Sequence, residues 1–145
     1  MLLPSRIVSR QTLGADLLRL VLCAILFTHG AYRLYEGSTP VLGEILGQEG
    51  FPFGTVLAYL VDIAETAGSI AVALRLFVIP ICLIQSVIYF TGIMLFHRHA
   101  GFFVVGPGEN GWEYSALLIT CLLFTAWENR SAGFLPFSQV RTSGG

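Results

Sequence analysis

Four long apolar stretches alternate with more polar connections along this chain, over roughly Leu17 to Tyr35, Gly54 to Leu76, Phe77 to His97 and Trp112 to Trp127. A helix needs about 20 apolar residues to cross a hydrocarbon core of about 30 Å, and each stretch meets or approaches that length. The pattern predicts an all-α fold: a polytopic membrane four-helix bundle forming a single domain over residues 1–145, with residues 129–145 as a tail. The second and third stretches are almost continuous. Their break falls between Arg75, whose long side chain can reach the membrane surface, and Pro80, which suits a first helical turn, so the two form a tight hairpin. The connection from Glu36 to Phe53 is rich in Gly and Pro and carries Glu36, Glu44 and Glu49; its "VLGEIL" segment predicts a short interfacial helix. The connection "HRHAGFFVVGPGENG" places Phe102 and Phe103 at the membrane interface, with "GPGENG" as a turn.

Composition agrees with a membrane setting. Charged residues make up 12% and mean hydropathy is +0.74, whereas a soluble domain carries about 25% charged residues. The partner implied is the lipid bilayer. With a net charge of -1 and no lysine, no basic patch exists for nucleic acid. Arg6, Arg10, Arg19, Arg75, Arg130 and Arg141 group on one side of a four-span arrangement against Arg33 and Arg98 on the other, so both termini are expected in the cytoplasm. The first apolar stretch lacks a small-residue cleavage site and reads as a retained helix. Cys23, Cys82 and Cys121 lie in apolar stretches without metal or redox spacing and read as small hydrophobes. Motifs for nucleotide binding, serine hydrolysis and haem attachment are absent.

Against this background two acids stand out. Ala58, Asp62, Glu65 and Ser69 share one face at helical spacing, so both carboxylates point into one volume. An ionised acid at the centre of a membrane costs roughly 3 kcal/mol even on lenient scales, so such residues face partners inside a bundle. Arg33, one turn from His29, reaches a similar depth on the first helix. Tyr89, His97 and His99 on the third helix and Glu113 and Tyr114 on the fourth bring polar groups to the same half. Elsewhere on the second helix, Ala64 with Gly68 and Ala67 with Ala71 give small-residue spacings suited to close helix packing.

Three readings of the constellation stay open. One is a neutralised ion-pair network that only orders the helices. A second is a pocket for a quinone or similar amphipathic molecule, with Glu65 and His97 exchanging protons, His29, Arg33, Asp62, Glu113 and Tyr114 in support, and aromatic walls such as Tyr32, Tyr89 and Phe96. The third is a metal site using His29, His97, His99, Asp62, Glu65 and Glu113, opposed by the charge of Arg33 and by the lack of a diagnostic spacing. A small transporter has no inverted repeat in its favour. Oligomeric state stays open: four short helices leave little interior volume, and a homo-oligomer such as a dimer could complete a pocket between subunits.

The fragments "THGAYRLY", "GFPFGTVLAYLVDIAETAGSIAVAL", "HRHAGFF" and "GENGWEYSALLI", in this order and spacing, resemble the DoxX family over about residues 14 to 128. The matching positions are His29, Gly30, Glu65, Gly68, His97, Phe102, Phe103, Gly111, Glu113 and Tyr114. The chain departs from the family pattern at Arg33, where lysine is common, and at Ser69, which replaces a second glycine. The resemblance implies a multi-pass protein of the bacterial inner (cytoplasmic) membrane. It also implies an oxidoreductase setting, as in thiosulfate:quinone oxidoreduction or oxidative-stress complexes with soluble redox partner proteins. No flavin or nicotinamide motif is present, so redox work requires a quinone or a partner subunit.

Overall fold

The computed structural model describes residues 4–105 and 109–130, with side chains from residue 13 onward. Arg6 and Arg10 as side chains, residues 106–108 of "GPGENG", and the tail beyond Arg130 with Arg141 lie outside the described part. Among the described residues all regular structure is helical: α1 (Pro4–Glu36), α2 (Thr39–Gln48), α3 (Gly54–Ala73), α4 (Val78–His97) and α5 (Glu113–Glu128). Within α1 the segment Leu13–Glu36 is long and apolar enough to cross a membrane, as are α3 and α4; α5 falls short of that length. The helix runs back to Pro4, well before the expected start at Leu17, and the "VLGEIL" segment is the middle of α2.

Three helices end in the same way. At the end of α1 the Ser38 and Gly37 amides donate to the Arg33 and Leu34 carbonyls, and at the end of α2 those of Phe51 and Gly50 donate to Leu46 and Gly47. At the end of α3 the donors are Leu76 and Arg75, onto Ala71 and Val72. This paired closure needs a left-handed residue, supplied by Gly37 (φ 68°) and Gly50 (φ 88°) in the first two. In the third it is Arg75 (φ 61°), an unfavourable place for a residue with a Cβ. Arg75 does more than reach for the surface. Its Nη2 pairs with both carboxylate oxygens of Asp16 of α1, at 2.6 and 2.7 Å.

Beside it, buried Arg19 donates to the Ala73 carbonyl at the end of α3 and to the Val72 carbonyl, which also accepts the Arg75 amide. These contacts tie α1 to the hairpin turn. Below them lies the core of Leu22, Cys23, Leu26, Val72, Cys82, Leu118 and Leu122, in which the thiols pack as small hydrophobes.

The hairpin of α3 and α4 is tight only near its turn, where Gly68 faces Ile81 and Gln85. Toward the other end the two helices separate and α2 covers the gap. It lies backbone to backbone on α3, because a Cβ on Gly54 would collide with the Gly43 carbonyl. Of the two small-residue spacings, Ala64/Gly68 faces α4. Ala67 is exposed, so its face is no close helix seam.

Because position 75 needs a left-handed backbone, Arg75→Gly should be more stable than Arg75→Ala by about 1 kcal/mol, the reverse of the usual helix preference. Thermal unfolding of the two variants in detergent checks this.

Candidate functional site

The acids stand on α3 as their spacing predicts, and the helix around them is not regular. From Ala64 to Gly68 the chain widens into one π-helical turn, which inserts an extra residue and disturbs the ladder of carbonyl acceptors. Side chains compensate: Gln85 Nε2 donates to the Ala64 carbonyl at 2.7 Å and to Ser69 Oγ at 3.3 Å, and Thr66 Oγ1 donates to the Asp62 carbonyl at 2.6 Å. A second π-helical turn spans Ile93–His97 on α4, with the Arg98 amide donating to the Ile93 carbonyl at 2.8 Å. Glu65 and His97 each sit in one of these wide turns.

Arg33 joins the two acids. Its Nε donates to Asp62 Oδ1 at 2.7 Å and its Nη2 to Glu65 Oε2. Asp62 is fully buried and its second oxygen accepts from Thr39 Oγ1 at the start of α2. Glu65 is 2% exposed and its second oxygen accepts from the Tyr89 hydroxyl at 2.7 Å. Each of the four carboxylate oxygens thus has one donor. Gly30 makes the approach possible: a Cβ there would lie 2.9 Å from Glu65 Cβ and 3.0 Å from the Asp62 carbonyl oxygen.

Glu65, Arg33 and Tyr89 form one wall of a cavity of about 600 Å³ between α3 and α4, roofed by Leu42, Leu46 and Phe51. A single chain therefore encloses a sizeable space, contrary to the small interior expected of four short helices, because the hairpin splays and α2 roofs the gap. His29 lines the cavity and stacks on Tyr114, ring centroids 6.2 Å apart. His97 lines it too, its Nδ1 2.7 Å from the Asn110 carbonyl oxygen. Leu60, Ile84 and Val87 belong both to the lining and to the exposed apolar surface, so the mouth opens on the lipid-facing side.

Not every expected residue joins. Glu113 accepts from the Val104 amide at 3.0 Å, holding the loop before α5, and is absent from the cavity wall. His99 takes the Arg98 Nε–H at 2.8 Å, and Tyr32 is exposed. Among the described residues no three of His, Cys, Asp and Glu converge as ligands for a metal ion. Thr39, which seals the far side of Asp62, went unnoticed in the sequence. Its place before Pro40 at a helix start was the available signal.

Removing one partner from a buried pair costs roughly 3–5 kcal/mol because a charge is left unpaired. Arg33→Met should therefore destabilise the bundle by about that amount, and adding Glu65→Leu should recover part of it. A double-mutant cycle of unfolding in detergent measures both. Gly30→Val should cost about 1–3 kcal/mol by forcing α1 away from α3, read as a lower melting temperature.

Compared with known protein families, residues 14–98 match the model of the family described as DoxX. No curated protein and no solved structure matches the chain.

Proposed function

The chain belongs to the DoxX family and is a membrane protein, and from that premise we propose that it is the membrane subunit of a quinone-linked redox or oxidative-stress system. The observation that carries this reading is the cavity. Its volume of about 600 Å³ lies in the range of small-molecule sites, its wall is mostly apolar, and its polar groups gather around Glu65. A quinone-like ring enters between α3 and α4 from the bilayer and settles against Tyr89, Phe96 and Tyr114. Reduction to the quinol consumes two electrons and two protons. Soluble partner proteins deliver the electrons, while Glu65, through the Tyr89 hydroxyl, and His97 exchange the protons. Arg33 keeps Glu65 oriented and holds it next to Asp62.

In this reading α5 is the fourth crossing. Its 16 residues reach about 24 Å, and Trp112 and Trp127 at its ends suit the two interfaces. Both termini are cytoplasmic and the membrane is the bacterial inner membrane, supported by Arg19, Arg75 and Arg130 at one end of the bundle against Arg33 and Arg98 at the other. The site then lies in the outer half.

A specific observation favours a second reading. All four carboxylate oxygens are paired within the protein, which suits an anchor or assembly partner whose ion pairs only order the helices. Replacing the buried acid separates the two. Glu65→Gln, checked for folding by circular dichroism, should lower quinone-dependent turnover about 100-fold or more. Unchanged turnover in the folded variant overturns the redox reading in favour of the anchor.

A further inference from the structure

The polar cluster behind the cavity wall is not electrically balanced. Asp62 and Glu65 bring two carboxylates and Arg33 one guanidinium, a formal charge of -1; Glu65 and Arg33 reach the wall, whereas Asp62 lies fully buried behind it. Buried in an apolar bundle, that charge is costly and attracts a positive partner. Arg33 approaches Glu65 at Oε2 and the Tyr89 hydroxyl donates to Oε1; all three residues line the cavity. Four aromatic rings line the same space, from Phe51, Tyr89, Phe96 and Tyr114. An aromatic face within about 6 Å of a cation attracts it, most strongly where water is excluded. The mouth lies among exposed Leu60, Ile84 and Val87, so the entrant comes from lipid.

A net-negative cluster, aromatic side chains in the lining and a hydrocarbon doorway together select one chemical class. We infer that the cavity binds lipophilic organic cations, which partition into the bilayer, enter between α3 and α4, and settle beside the Arg33–Asp62–Glu65 cluster. Bulky onium ions with delocalised or shielded charge fit best, because they lose little hydration on entry. Small hydrated cations cannot cross the apolar mouth. The inference uses the cavity and its charge but not the redox reading.

The charged and polar groups that share the cavity with Glu65 are Arg33 and His29 from α1, Tyr89 and His97 from α4, and Tyr114 from α5, with Asp62 behind the wall; α2 contributes apolar side chains to the lining.

The test uses the full chain in nanodiscs and isothermal titration with tetraphenylphosphonium, with the isosteric anion tetraphenylborate and empty nanodiscs as controls. Saturable phosphonium binding is expected at one site per chain, with at least tenfold weaker binding of borate. Glu65→Gln should weaken phosphonium binding at least tenfold, whereas Glu65→Asp, which keeps the charge, should retain most of it. Should the Gln variant not fold, Tyr89→Leu, which removes an aromatic ring from the lining and the contact to Glu65, should weaken binding several-fold. Equal binding of the borate, no binding above empty nanodiscs, or unchanged affinity in these variants overturns the inference. Quinone turnover without phosphonium binding overturns it and leaves the redox reading standing; phosphonium binding without quinone turnover does the opposite.

Discussion

The bundle depends on one guanidinium placed between two buried carboxylates. Arg33 comes from α1 and both acids from α3, so satisfying the charges fixes the depth and rotation of one helix against the other. Apolar packing in a membrane cannot do this alone, because lipid tails are as good a neighbour as leucine. The same contact extends outward: Asp62 recruits Thr39 and hence α2, and Glu65 recruits Tyr89 and hence α4. Four helices are connected through a handful of polar atoms, while the thiols and leucines at the other end of the bundle fill space.

Backbone shape makes that contact available. Gly30 lets α1 come close to the acids, the glycine-closed end of α1 turns Thr39 back toward Asp62, and the π-helical turn adds a residue beside Glu65. Such turns recur at functional positions because they are tolerated only where side chains take over the lost backbone bonds. Gln85 and Thr66 do so here.

Much of this was legible in the sequence. Apolar stretches gave the long helices, and the spacing of Asp62 and Glu65 gave their common face, because period and cost of burial are local properties of a chain. Arg33 followed from counting depth along antiparallel helices. The cavity was not legible, since it depends on how far α3 and α4 separate, which no periodicity encodes. The π-helical turns look like ordinary helix in sequence. Glu113 illustrates a different limit: its depth suited the cluster, yet a nearby amide at Val104 captured it, and competition between short-range partners is invisible without coordinates. Arg19 and Arg75 entered the sequence reading as orientation signals, but they also hold the end of α3 through carbonyl contacts and a left-handed backbone.

The mouth of the cavity, bordered by Leu60, Ile84 and Val87, changes the meaning of affinity for this protein. A ligand that arrives from the bilayer is presented at its mole fraction among lipids, not at its concentration in water. Partitioning concentrates an apolar molecule many-fold before it meets the protein, so contacts worth little against an aqueous reference still fill the site. Occupancy then follows membrane composition and lipid-to-protein ratio, and two membranes in equilibrium with the same aqueous solution can load the protein differently.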